Sequence, residues 1–272
     1  MNLIKTLKPV ALILSRNKDD RKSKYKTQNL RNSLEFARIV HVVTDDIKTK
    51  TDRNMEEMAS AGVHFGAPRS RRHPSTKSGV FGTKNDIEIV DLEKTQVSLE
   101  KAREFVAKLR KDGKIILLVG NKSEAREAVR HAATRMNLPY VALRWIGGTL
   151  TNFDEIRKRL DRLSDLRTKG ASGDLSKYTK KERARISHEV KDLERFFSGI
   201  SEMKEIPSAL FVIDSDKEHT AVTEARKMHI PVISLSGTDC DIGSIEYPII
   251  GNDKAIASIR FIVDIVLSAY KV

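Results

Sequence analysis

The sequence predicts an α/β fold: a parallel, doubly wound sheet of about five strands flanked by helices, with an antiparallel coiled-coil helical hairpin inserted. Three observations predict it. Short unbroken apolar runs, such as Lys114–Val119 and Ala209–Ile213, are the pattern of strands buried on both faces. Those runs alternate with segments whose apolar residues recur at helical spacing. Between the second and third such strands, from 152 to 200, the alternation stops and two narrow apolar seams replace it.

Taken in order, Met55–Ala61 reads as a short helix stopped by Gly62. Val80-Phe81-Gly82 and Ile87–Val90, joined by Thr83-Lys84-Asn85-Asp86, read as a hairpin or two short strands. Glu93–Arg110 is helical, with Ala102, Phe105, Val106 and Leu109 on one stripe, and Lys111-Asp112-Gly113 ends it. Strand Lys114–Val119 is followed by helix Ser123–Met136, whose alanines 125, 128, 132 and 133 and Val129 share a face, and then by strand Tyr140–Leu143. Phe153, Ile156, Leu160, Leu163 and Leu166 form one seam, and Ile186, Val190, Leu193, Phe197 and Ile200 the other. Each helix is charged around most of its circumference, so a helix of about 16 residues would project roughly 24 Å from the sheet. Strand Ala209–Ile213, helix Glu218–Met228, strand Pro231–Leu235, strand Tyr247–Ile250 and helix Asp253–Ser268 complete the alternation. The expected organisation is therefore a basic, flexible extension at 1–54, an α/β domain at 55–151 and 201–272, and the hairpin at 152–200.

Charge narrows the function. The 272 residues carry 50 basic and 37 acidic side chains, a net +13. The excess lies in front: residues 1–54 hold 13 basic and 6 acidic groups, whereas residues 205–272 hold 6 basic and 10 acidic. The 26 residues from 60 to 85 contain Arg69, Arg71, Arg72, Lys77 and Lys84 and no acid at all. A basic face and an acidic back point to a polyanionic partner, nucleic acid before all others. The longest apolar runs are five or six residues, too short for a membrane helix, and the single Cys240 can form no internal disulfide. A soluble intracellular protein is expected.

Catalytic and cofactor motifs fail when tested. Gly120-Asn121-Lys122-Ser123 follows a strand and opens a helix, but a phosphate loop needs glycines where Asn121 and Ile116 stand. No G-x-G-x-x-G occurs, so no cofactor is expected. Lys122 and the helix start could still hold one backbone phosphate. Asp214-Ser215-Asp216-Lys217-Glu218-His219 follows a buried strand, where a metal-dependent α/β enzyme would place its acids Asp214 and Asp216. Ser215 with Glu218 also fits a capping box, and that reading is preferred, with no metal expected. Cys240 lacks a placed base and reads as a structural thiol; the seven histidines show no ligand spacing.

The acid-free window is the better candidate. His64, Arg69, Arg71, Arg72, His73, Lys77, Lys84 and Asn85 supply phosphate donors and stacking groups among glycines that let a backbone approach. A second patch, Arg144-Trp145-Ile146-Gly147-Gly148-Thr149, leaves the sheet for the hairpin. Here Trp145 is expected to anchor the hairpin base and Gly147-Gly148 to form its hinge, with Arg144 free to serve RNA.

Together these residues resemble the small-subunit ribosomal protein S-two family in its bacterial and organellar form. The resemblance rests on AGVHFG at 61–66, R-x-HP running on to FGTKN at 85, IEIVDLEKT at 87–95 and RWIGGTLTNF at 144–153. ALFVIDSDKEHTAVTEA at 209–225, IPVI at 230–233 and GND at 251–253 support it, over about residues 55–270. Gly237-Thr238-Asp239 and Ile250 depart from the family's usual D-T-N and proline. The resemblance implies a Rossmann-like, flavodoxin-like sheet with an inserted coiled-coil hairpin and a noncatalytic role. It further implies contacts with small-subunit rRNA, with neighbouring small-subunit proteins and, in many bacteria, with the S-one protein. The implied location is a ribosome in the cytoplasm or, for the organellar form, in an organelle matrix.

Overall fold

The computed structural model describes residues 54–172 and 177–270. The chain divides into two units, Met1–Asn54 and Met55–Val272; the expected basic extension lies outside the described residues but for Asn54. Helix α1 covers 54–60, and Gly62 beyond it takes a positive φ of 74°. Strands β1 (Phe65–Pro68), β2 (Val80–Lys84) and β3 (Ile87–Val90) follow. They form an antiparallel sheet in the order β1-β3-β2. The β2–β3 hairpin is tighter than its sequence suggests: Lys84 pairs with Ile87, leaving only Asn85 and Asp86 in the loop, at φ 50° and 61°. Two consecutive left-handed residues make the turn whose twist suits a hairpin, and Asn and Asp tolerate it best after glycine. Strand β1 is absent from the sequence reading, because its four residues, FGAP, carry no alternating apolar signal.

The main domain alternates as expected. Helix α2 (Leu92–Lys111) is capped by the Asp91 carboxylate, which accepts from the backbone N–H groups of Glu93 and Lys94. Strand β4 (Ile116–Val119), helix α3 (Ser123–Met136) and the short strand β5 (Tyr140–Val141) come next. Two charged helices, α4 (Phe153–Ala171) and α5 (Lys180–Phe197), interrupt the alternation. Strand β6 (Ala209–Ile213), helix α6 (His219–Lys227), strands β7 (Val232–Ser236) and β8 (Tyr247–Ile250), and helix α7 (Ile256–Ser268) finish it. All four ladders of the second sheet are parallel, in the order β5-β4-β6-β7-β8. Numbered by appearance that order is 2-1-3-4-5, the flavodoxin-like winding, which reverses direction between β4 and β6.

Side chains of the central strands alternate between two cores. Ile116, Leu118, Phe211, Ile213, Ile233 and Leu235 pack with α2, α3 and α7 on one face. Leu117, Val119, Leu210, Val212 and Val232 pack on the other with α6 and with Phe153, Ile156, Leu160, Phe197 and Ile200. The roots of the two inserted helices therefore belong to the core of the sheet. Leu163 and Leu166, farther along α4, are buried as well, at 1% and 3% exposure. Ion pairs Arg162–Glu189 and Arg167–Glu194 connect α4 with α5. Being exposed, they add little stability.

Candidate nucleic-acid interface

The acid-free window lies across the carboxyl ends of β7 and β8. Thr238, just past β7 and fully buried, is the main tether. Its hydroxyl accepts from the Ala67 N–H at 2.9 Å, and its carbonyl accepts from His73 N–H at 2.9 Å and Thr76 Oγ1 at 2.7 Å. Past β8, Asn252 donates its backbone N–H to Val63 and its amide to the Gly62 carbonyl, both at 3.0 Å. Gly66 permits this approach: a Cβ there would lie 2.8 Å from Thr238 Cγ2 and 2.9 Å from its Oγ1. A basic segment is thus fixed where doubly wound sheets place their ligands.

Of the residues singled out in this segment, Arg69, Arg71, Lys77 and Lys84 are exposed, and none forms an ion pair with a described residue. Arg144, beyond β5, is exposed in the same way. Asn85 is exposed too, but its conformation is set by the hairpin turn. Arg72 has an internal partner instead. Its Nη1 lies 3.1 Å from Oε1 of the fully buried Glu88, a charge contact without hydrogen-bond alignment. His73 turns Nδ1 inward, accepting from the Ser75 N–H at 3.3 Å. His64 is half-buried beside Phe65, ring centroids 4.1 Å apart, and its Nδ1 is buried without a hydrogen-bond partner among the described residues.

Lys122 corrects the sequence reading. Its ammonium donates to Asp214 Oδ2 at 2.8 Å, Asp253 Oδ2 at 2.9 Å and the Asp253 carbonyl at 3.2 Å. All three donors are used, so none is left for a phosphate. The helix start that might have held that phosphate is already occupied by one of the chain's own carboxyl groups, since Glu218 Oε1 accepts from the Asn121 N–H at 2.8 Å. The expected Ser215–Glu218 capping box is likewise replaced. Ser215 Oγ pairs with Ser236 Oγ at 2.9 Å, and Glu218 reaches across the switch point rather than back to its own helix. Asp216 is exposed and outside the cluster.

Electrostatics follow from burial. Burial opposes the Lys122 charge, yet hydrogen bonds to two carboxylates hold it above the ordinary lysine range. Burial would also raise Asp214, but Lys122 and the Lys217 N–H keep it below its usual value. Asp253 is raised to about 6 by burial and by the Asp214 charge, and Glu218 to about 7, mainly by burial. Burial and the neighbouring carboxylates push Cys240 up to about 12, leaving an unreactive thiol, in line with its structural reading. Among the described residues, Asp214, Cys240 and Asp253 alone are grouped closely enough to ligate a metal, and the lysine ammonium already supplies a positive charge there.

The second patch is built on a residue that the sequence reading missed. Glu224, on α6 and 7% exposed, accepts from Trp145 Nε1 at 3.0 Å and Gly148 N–H at 2.8 Å through one oxygen. Its other oxygen accepts from Leu150 N–H at 3.0 Å and from Thr151 N–H and Oγ1, both at 3.3 Å. Gly148 reaches this carboxylate at φ 90°, a conformation that side chains resist. Burial would raise Glu224, but the Trp145 donor and three backbone N–H groups hold it below the usual range. Trp145 is buried at 7%, while Gly147 is exposed. A signal existed: Glu224 shares a helical face with Ala221 and Ala225, so an acid stands on an apolar stripe.

The crevice of the sheet is closed by its own ion pairs, and a basic segment lies exposed beside it. Residues 58–272 match the family described as Ribosomal protein S2. The chain is 42% identical over 215 residues to the small ribosomal subunit protein uS2 of Mycobacteroides abscessus, covering 79% of this chain and 78% of that one. Its identity to the protein of the same name from Nocardia farcinica is 43%, over 79% and 75% of the two chains. For the Mycobacterium leprae protein of that name the figures are 42%, 79% and 78%. The chain belongs to the ribosomal protein S2 family. Its role is structural, within the ribosome and in translation, and not enzymatic. No described helix is long and apolar enough to cross a membrane.

Proposed function

We propose that this chain is held on small-subunit rRNA through the segment 60–85, with Arg69, Arg71, Lys77, Lys84 and Arg144 as phosphate contacts. The observation that carries this reading is an acid-free segment fixed in place with its cations facing solvent. Neighbouring small-subunit proteins, the S-one protein among them, are its protein partners, and the cytoplasm is its compartment. Tagged chain should sediment with small subunits on a sucrose gradient. Each lost phosphate contact reduces the salt slope by about 0.7 to 0.9 if the nucleic-acid values carry over. Replacing Arg69, Arg71 and Lys77 with Ala should flatten the slope by roughly two units and weaken incorporation. Arg72 is left out of this triple because its loss would strand Glu88. Lys217, Arg226 and Lys227, exposed on the acidic half, serve as the control triple. Equal losses from both triples would reduce the site to net charge and defeat the reading.

The inserted segment 152–200 serves in this reading as an antiparallel coiled-coil hairpin that reaches neighbouring proteins. Ile186 and Val190 are half-buried and lie outside the sheet's two cores, unlike Phe197. Changing both to Asp should melt α4 and α5 at a lower temperature while the sheet keeps its own transition. A single lowered transition in calorimetry would show that the two helices fold only as part of the main core.

A further inference from the structure

Helix α5 carries six basic and four acidic side chains, close to balance, but the two signs lie on different faces. Three of the acids are engaged. Glu182 closes a capping box with Thr179, and Glu189 and Glu194 pair with Arg162 and Arg167 of α4. Ile186, Val190, Leu193 and Phe197 form the less exposed side of the helix. At 3.6 residues per turn, the opposite side falls to Lys180, Lys181, Arg185, His188, Lys191 and Arg195. All six are exposed, and none forms an ion pair with a described residue. Arg195 stands over the Phe196 ring, 5.4 Å from its centroid, a contact that leaves its charge in place. Asp192 is the single acid among them. Helix α4 is the reverse: Asp154, Asp161 and Asp165 share its outer side and are exposed. An ordinary solvated helix mixes its signs, whereas here the pairs across the seam consume the acids and leave a row of cations. From Lys180 to Arg195 the row is about 22 Å long. Duplex nucleic acid presents one charge per roughly 1.7 Å of its axis, so such a row meets several phosphates. The row holds no Phe, Tyr or Trp, the platforms on which unpaired bases stack. Its chemistry suits the backbone of a double helix, which proteins contact largely through phosphates and sugars.

We infer that the outer face of α5 is a second polyanion contact, lying along the sugar–phosphate backbone of an rRNA duplex. The inference rests on the RNA reading above and adds a site separate from the segment 60–85. The acids on the outer side of α4 repel phosphate, which fixes the side of the hairpin that meets RNA. An acidic surface of a neighbouring protein is the competing occupant.

The test uses the full chain, a transcript of small-subunit rRNA and an RNA duplex of unrelated sequence, each titrated over a range of salt. Replacing Lys181, Arg185 and Lys191 with Ala should flatten the salt slope by roughly two units and weaken binding to both RNAs roughly 100-fold at about 0.1 M salt. Alanine is the best helix former, so α5 is kept, and circular dichroism with thermal melts checks it. Changing Lys158, Arg159 and Lys169 to Ala takes the same charge from exposed positions of α4. That control should leave the slope within about half a unit of wild type. An unchanged slope in the α5 triple, with the Arg69, Arg71 and Lys77 triple still flattened, overturns this inference and leaves the RNA reading in place. Equal losses from the α4 and α5 triples reduce the effect to net charge and overturn it as well. Poor incorporation of the α5 triple into small subunits with RNA binding intact overturns it in favour of a protein partner. Wild-type binding with no salt dependence overturns both readings.

Discussion

Lys122→Met should cost about 3–5 kcal/mol of unfolding free energy, the usual loss when one partner of a buried ion cluster is removed. Methionine keeps the unbranched apolar stem, so what disappears is the ammonium with its charge and donors. Asp214 and Asp253, 5% and 2% exposed, would then face each other without a counter-ion. That is a large share of the 5–15 kcal/mol that holds a typical domain together. Urea titration at pH 8 measures it, and a loss below about 1 kcal/mol would contradict the role assigned to this lysine. The deficit should shrink as pH falls, since protonated carboxyls need no counter-charge. Adding Asp214→Asn and Asp253→Asn to the variant should recover part of the loss, because the three residues act as one unit. Nucleic-acid affinity, by contrast, should follow only the folded fraction.

Glu224→Ala should cost about 3 kcal/mol, from a charge-assisted network whose donors are left partly unpaired. Four residues from 145 to 151 would lose the carboxylate that holds them. The linkage sign is that of a depressed carboxylate. Its folded pKa lies below the unfolded value of about 4.3, so its contribution is complete above that value and is lost as pH falls through the folded one. The difference between wild type and variant should therefore be full at pH 7 and narrow on acidification. Glu224→Gln should fall between them, since its amide directs N–H groups at donors that need an acceptor. Trp145 fluorescence reports the same event locally; an unshifted emission in Glu224→Ala would mean that other contacts hold the loop.

The regular elements were legible because each advertises itself locally. Helix Ser123–Met136 and strands Ala209–Ile213 and Tyr247–Ile250 have the boundaries that their apolar patterns suggest. Errors occur where the signal is not local. Strand β1 pairs with β3 through FGAP, a segment with no alternation to read. The acids after β6 looked like a helix cap, because Ser215 and Glu218 have the right spacing; tertiary neighbours at Asn121 and Ser236 claim both side chains first. Lys122 was a reasonable phosphate ligand from its position at a helix start, until Asp253 arrived from 131 residues away.

By itself, the sequence determined the alternation of strands and helices, the place of the insertion, the failure of every nucleotide-binding pattern and the concentration of positive charge in residues 60–85. Those properties are carried by neighbours a few residues apart, through side-chain periodicity, turn chemistry and simple counting. Only the tertiary structure decided which of the chain's candidate cations remain available. It spent Lys122 on carboxylates 92 and 131 residues distant and Arg72 on Glu88, and left Arg69, Arg71, Lys77 and Lys84 in solvent. The reason is physical: a charge becomes structural or functional according to the dielectric and the partners around it, and the winding of the sheet, not the local sequence, brings those partners together.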